Sequence, residues 1–147
     1  LALFPSIHYL FCKFSQLLSR SKEVETKELF LKYSYAYVPL GLMAWVCFSV
    51  PLLLINGSYI IAAISDPFGW GWNLFGTAHL HWSPILPHWV PYIQALFILA
   101  GLFYSVVSVF KIAKRMFSQK EEALKSVIPI VVLLLIITMI FFRLYLG

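Results

Sequence analysis

The stretch YSYAYVPLGLMAWVCFSVPLLLINGSYIIAAIS, residues 33–65, contains no charged residue and decides the fold class of this chain. After Asp66, a second uncharged run covers residues 67–110. A helix crosses the ~30 Å hydrocarbon core of a bilayer with about 20 residues, so each run is long enough to span it. Because these apolar runs are continuous and do not alternate with polar positions, they predict helices and not the strands of a membrane barrel.

Charge is concentrated in two short segments that flank the apolar runs. Ten of the 11 lysine and arginine residues lie in 13–32 and 111–125. Two basic segments on either side of a helical hairpin lie on one side of the membrane, which the positive-inside rule identifies as the cytoplasmic side. With 12% charged residues, the 147-residue chain is far from the ~25% of soluble domains. Its net charge of +5 indicates contact with anionic lipid head groups and not with nucleic acid.

We therefore predict an all-α fold: an integral membrane helical bundle with three full transmembrane helices, a truncated N-terminal one and an aromatic outer cap rich in proline and glycine. The single membrane domain 1–147 is divided into a partial span 1–12, a cytoplasmic amphipathic segment 13–32, a span 33–60, an outer cap 61–90, a span 91–110, a cytoplasmic loop 111–125 and a span 126–144. The expected location is the cytoplasmic membrane of a bacterium or archaeon. The short apolar start, without a signal-peptide pattern, predicts that the chain is the C-terminal part of a longer protein.

The outer segment 66–91, DPFGWGWNLFGTAHLHWSPILPHWVP, has a composition unlike the rest of the chain. It contains four prolines, three glycines, four tryptophans and three histidines, so it is predicted to lie irregularly in the membrane interface. On an extended segment His79 and His81 would point the same way, and with His88 they form a candidate copper or zinc site.

A quinone or proton-exchange site is a second possibility for this segment. The candidate residues are Asp66, His79 and His81, because aspartate and histidine side chains at the membrane boundary can exchange protons near neutral pH. The structural alternative is that Asp66 only caps a turn ahead of Phe68 and Gly69 and that the histidines only pack.

Cofactor ligands are scarce elsewhere in the sequence. Cys12 and Cys47 are isolated, so they cannot complete an iron–sulfur cluster or a tetrahedral zinc site by themselves. His8 is the one histidine within a predicted span, which excludes a haem held by two histidines of this chain. We predict packing roles for both cysteines.

The spans contain few polar side chains, and no charged residue lies at mid-membrane. We predict interhelical hydrogen bonds, and not a transport path, for three polar residues: Gln94, Asn56 and Tyr104. Two glycines are predicted to allow close helix approach: Gly41 and Gly101. Three tyrosines are predicted to form an aromatic belt at head-group depth: Tyr33, Tyr35 and Tyr37.

Two motifs, YSYAYVPLGL (33–42) and DPFGWGWNLFGTA (66–78), resemble the C-terminal membrane region of ferredoxin-type 4Fe-4S integral membrane proteins. These polyferredoxin-like proteins are allied to the nitrate reductase quinol-oxidising and nitrous oxide reductase maturation proteins. The segment QALFILAGLFYS (94–105), which leads to the basic KIAKR (111–115), is similar to the same pattern, and the resemblance covers 31–117. It implies a role in membrane electron transfer, with the 4Fe-4S clusters upstream of this chain or on a partner.

The sequence thus predicts a membrane-anchor subunit or fragment of a respiratory-type redox complex that supports electron transfer between quinol and redox partners. It is not expected to be catalytic alone, and no cofactor is expected within the chain. The expected partners are membrane lipids, other membrane subunits and quinone. The alternative is an accessory structural subunit that packs against a larger membrane enzyme without a redox role. A transporter or channel is disfavoured by the lack of intramembrane charge.

Overall fold

The computed structural model describes residues 3–19 and 24–146, and within these ranges the fold is all-α. The helices are α1 (Leu3–Ser19), α2 (Thr26–Ser34), α3 (Val38–Ser65), α4 (Val90–Met116) and α5 (Lys120–Leu146). Short 3-10 turns precede α3 at Tyr35–Tyr37 and α4 at Pro87–Trp89. The first of these turns joins α2 to α3 without a break, so that Thr26–Ser65 forms one continuous helical segment.

Three helical segments of the described chain are long and apolar enough to cross a membrane: Thr26–Ser65, Pro87–Met116 and Lys120–Leu146. In their most apolar windows only 22%, 28% and 28% of the residues are buried inside the structure. Large apolar side chains therefore cover the outside of the bundle, where they can contact the hydrocarbon tails of membrane lipids. This confirms the three long membrane helices that the sequence predicts. Helix α1, with 17 residues, is not one of these three segments.

The helices pack in the order α3, α4, α5 and α1, and α2 contacts α1 as well. The two basic segments lie close to each other. Ser15, near the end of α1, donates a hydrogen bond of 2.6 Å to the carbonyl of Ser126, near the start of α5. Lys32 and Arg115 also line one common groove. The described parts of 13–32 and 111–125 thus share one end of the bundle, here named the basic end. The connection from α3 to α4 lies at the other end, here named the aromatic end.

Several helices continue past the boundaries predicted from charge and from turn-forming residues. Helix α1 passes position 12 and ends at Ser19, α3 passes position 60 and ends at Ser65, and α4 passes position 110 and ends at Met116. The reason is that a helix need not stop where the hydrocarbon core stops, and the cations in the last turn of α4 suit the helix dipole. The predicted segment 13–32 consists of the end of α1 and most of α2, while its residues 20–23 lie outside the described residues.

Helices α3 and α4 approach closely at Gly101. A Cβ atom added there would lie 2.8 Å from the Met43 Cβ and 3.1 Å from the Leu40 Cα, so any larger residue would push the helices apart. The prediction of close approach at Gly101 is therefore confirmed. The same prediction is wrong for Gly41, which is exposed on the outer face of α3 with no atom within 4 Å of an added Cβ.

Polar groups join α3 to α4 at two levels. The side-chain amide of Gln94 donates to the backbone carbonyl of Cys47 at 2.9 Å, and the Cys47 thiol donates to the backbone carbonyl of Gln94 at 3.2 Å. The Leu40 amide, near the start of α3, donates to the Ser105 hydroxyl at 3.0 Å. The predicted interhelical bond is thus confirmed for Gln94. It is wrong for Asn56 and Tyr104, whose exposed side chains form no hydrogen bond to any described residue.

Candidate functional site

The connection at the aromatic end begins with a turn that Asp66 holds in place. Its two carboxylate oxygens accept hydrogen bonds from the backbone amides of Trp70 at 3.0 Å and Gly71 at 2.9 Å. Gly69 and Gly71 adopt φ values of +66° and +81°, a left-handed backbone that glycine accepts without a Cβ clash. Asp66 therefore caps this turn through the backbone amides of Trp70 and Gly71.

Aromatic rings gather on the outside of this turn. The rings of Phe68 and Trp70 stack with centroids 4.9 Å apart, and Trp72 meets Trp70 edge-on at 5.1 Å. All three side chains remain exposed. Further along, the Trp82 indole donates to the Ile55 carbonyl at 3.0 Å, which ties the connection back to α3. The predicted aromatic cluster is thus present, and its rings face outward and not into a pocket.

The three histidines of the connection do not come together as a metal site. His79, His81 and His88 are all exposed. Within residues 3–19 and 24–146, no group of three or more His, Cys, Asp or Glu side chains is arranged to hold a metal ion. The copper or zinc set predicted from the spacing is therefore not assembled. A quinone or proton-exchange role for Asp66, His79 and His81 stays a prediction.

A buried polar cluster at the basic end involves residues that were not predicted as site residues. The His8 side chain on α1 is only 2% exposed. Its Nε2 atom lies 3.0 Å from the Phe30 carbonyl oxygen, and its Nδ1 atom lies 2.9 Å from the Tyr37 hydroxyl. Because a carbonyl can only accept, the proton is assigned to Nε2, and the Tyr37 hydroxyl then donates to Nδ1.

Two more polar residues of α1 continue this cluster towards α5. The Cys12 thiol lies 3.6 Å from the His8 Nε2, and Ser15 one turn further donates to the Ser126 carbonyl at 2.6 Å. The Ser126 hydroxyl in turn lies 2.8 Å from the Tyr33 hydroxyl of α2. We name these residues, which join three helices, the basic-end cluster: His8, Cys12, Ser15, Tyr33, Tyr37 and Ser126.

The aromatic belt predicted for the three tyrosines is wrong for two of them. Tyr33 is fully buried and Tyr37 is half-buried, and only Tyr35 points outward, with 73% of its surface exposed. Positions 33 and 37 are four apart and share one helix face, whereas position 35 lies on the opposite face. The hydroxyls of the inward pair find partners in the basic-end cluster, which makes their burial favourable.

The sequence does carry a signal for this cluster. His8, Cys12, Ser15 and Ser19 follow one another at intervals of four, three and four residues, the spacing of a single helix face, and all four are buried. A polar stripe on an otherwise apolar helix has to face other protein, because lipid tails offer no hydrogen-bond partners.

Neither cysteine is placed to hold an iron–sulfur cluster of the kind that the sequence resemblance implies. Cys12 on α1 and Cys47 on α3 are both buried free thiols, and their hydrogen-bond neighbours are His8 and Gln94, respectively. A [4Fe-4S] cluster takes four thiolates, so the residues of this chain do not fit one. Both ring nitrogens of His8 are also engaged, which leaves neither ready to ligate haem iron.

The fold and its buried polar contacts define the class of this chain as a multi-pass, all-helical integral membrane protein. Comparison of the chain with protein families, with curated proteins and with solved structures gives no match.

Proposed function

We propose that this chain is a membrane-anchor unit that packs against other subunits of a larger membrane complex. One observation carries the proposal: the buried polar side chains are used to join the helices, while large apolar side chains face outward. Every buried side-chain nitrogen and oxygen of the described residues has a hydrogen-bond partner. In the most apolar window of each span at most 28% of the residues are buried inside the structure, so most of this surface is available for contact with lipid and with neighbouring subunits.

The particular complex we propose is a respiratory-type redox complex with its 4Fe-4S clusters held outside these residues. Support comes from the resemblance of 33–42, 66–78 and 94–105 to the membrane region of ferredoxin-type 4Fe-4S proteins. In this role the segment 66–91 is the outer cap. The cap would place its tryptophans at head-group depth, and quinone would meet the chain there, near Asp66, His79 and His81.

Isolation of the chain from its native membrane in a mild detergent tests both levels of the proposal. We expect it to migrate with larger subunits, and we expect iron, acid-labile sulfide and quinol-reducible absorption bands in that assembly. An assembly without iron or quinol-linked reduction would leave the accessory structural role and overturn the redox role. A chain that migrates alone under conditions that preserve other membrane complexes would overturn the anchor proposal as well.

A further inference from the structure

Helices α4 and α5 leave an open groove of about 420 Å³ between them at the basic end. It is lined by Phe110, Ala113, Lys114, Lys120, Ala123 and Leu124. Ala113 and Ala123 are buried and form its floor, where their small side chains leave space between the end of one helix and the start of the next. The volume falls in the range of ~300–1,000 Å³ that is typical of small-molecule sites.

Two lysines stand at this groove without an anionic partner. Lys114 and Lys120 are exposed, and neither forms an ion pair or a hydrogen bond with a described residue. The nearest acidic residues in sequence are Glu121, which pairs with Lys125 at 3.9 Å, and Glu122. The loop and helix ends from 111 to 125 carry five basic residues against these two acidic ones, so the local charge is positive.

The walls of the groove are apolar on the side that faces the membrane-crossing part of the bundle. Phe110 lies one turn of α4 before Lys114, and Leu124 lies one turn of α5 after Lys120. Both of these apolar side chains remain exposed. A ligand that fits this surface has a negative group at the membrane boundary and an apolar part that continues into the bilayer. Dissolved phosphate would use the cations but not the apolar walls.

We propose that this groove binds an anionic phospholipid, with the phosphodiester between Lys114 and Lys120 and an acyl chain along Phe110 and Leu124. Basic pockets between transmembrane helices recognise anionic head groups in this way. A second, smaller groove of about 290 Å³ between α2 and α4 contains Lys32 and Arg115, but Lys32 is already paired with Glu28, which leaves one unpaired cation there. The groove with two unpaired lysines is therefore the stronger site.

The test uses the full 147-residue chain in neutral detergent micelles, titrated with phosphatidylglycerol and, separately, with phosphatidylcholine, with bound lipid counted by native mass spectrometry. We expect phosphatidylglycerol to bind more tightly. Removal of the two groove lysines in K114Q/K120Q should weaken its binding about fivefold per lysine, or roughly 25-fold together. Inorganic phosphate should not displace the lipid.

The matched control is K27Q/K111Q, which removes two exposed lysines of the basic end that line neither groove. Its binding should stay within about twofold, since only diffuse charge is lost. Equal losses in the two double variants, or equal binding of the two lipids, would overturn the proposal. Displacement by inorganic phosphate would identify a phosphate site without lipid specificity and would also overturn it. If circular dichroism shows that K114Q/K120Q is unfolded, the single K114Q variant decides, with an expected loss of about fivefold.

Discussion

The Nδ1 atom of His8 lies 2.9 Å from the Tyr37 hydroxyl, and this contact joins α1 to the helical turn that leads into α3. The other ring nitrogen donates to the Phe30 carbonyl, so the imidazole has a partner on each side. Deletion of the hydroxyl in Tyr37→Phe leaves the buried Nδ1 with only the Cys12 thiol, a weak donor 3.8 Å away. We expect a loss of about 1 kcal/mol in the free energy of unfolding, the size of one hydrogen bond between membrane helices.

The measurement is a titration of the purified chain from detergent into sodium dodecyl sulfate, followed by circular dichroism. Tyr35→Phe is the matched control, because that ring is exposed and its hydroxyl has no hydrogen bond to a described residue. Its transition should coincide with that of the unmodified chain. A transition of Tyr37→Phe that also coincides would mean that the His8 contact contributes nothing to stability.

Gly101 provides a second prediction, which concerns the distance between α3 and α4. Gly101→Ala would place a methyl group 2.8 Å from the Met43 Cβ and 3.1 Å from the backbone of Leu40, so the helices must separate. We expect a destabilisation of about 1–3 kcal/mol, as for other overpacked sites. Gly41→Ala, on the exposed face of α3, should be neutral or stabilising by up to ~1 kcal/mol, since alanine is the better helix former. Equal effects of the two substitutions would argue against the close contact at Gly101.

The long membrane helices were predictable because apolar length alone requires them. In the hydrocarbon core the backbone N–H and C=O groups of these uncharged runs find no water to bond, so they form hydrogen bonds to one another within helices. The interhelical bond of Gln94 and the close approach at Gly101 were also predictable. In a membrane a polar amide finds a hydrogen-bond partner on a neighbouring helix, and a glycine lets two helix backbones come close.

The polar interior of the bundle was not predictable from residue type alone. Tyr33 and Tyr35 are the same residue type two positions apart, yet one is buried against Ser126 and the other is exposed. The difference depends on which helix face meets α1 and α5, and that depends on long-range packing. For His79, His81 and His88 the spacing in sequence is compatible with metal ligation, but the folded connection does not bring the three side chains together. Their positions also depend on the path of the folded chain.

The next prediction compares the effect on stability of Asp66, which caps a turn at the aromatic end, with that of the three exposed histidines of the same connection. Asp66→Ala removes the acceptor for the Trp70 and Gly71 amides, and we expect a loss of about 1 kcal/mol together with faster amide exchange in the turn. Hydrogen–deuterium exchange with mass spectrometry measures both effects. Replacement of His79, His81 and His88 by glutamine should leave exchange in the turn unchanged, because these side chains are exposed. If the triple variant loosens the turn as much as Asp66→Ala does, the histidines support the structure in a way that the contacts do not reveal.

The orientation of the bundle in the membrane gives the last prediction. The basic end carries the described lysines and arginines of 13–32 and 111–125, whereas the connection at the aromatic end contains none, so the positive-inside rule places the aromatic end outside. A cysteine introduced by Ser83→Cys, which is exposed at the aromatic end, should react with a membrane-impermeant maleimide in sealed cells. Ser118→Cys, exposed at the basic end, should react only after permeabilisation. The native cysteines give little background, because Cys12 and Cys47 are both buried. Labelling in the reverse order would place the basic end outside, and the orientation proposed for the cap would be wrong.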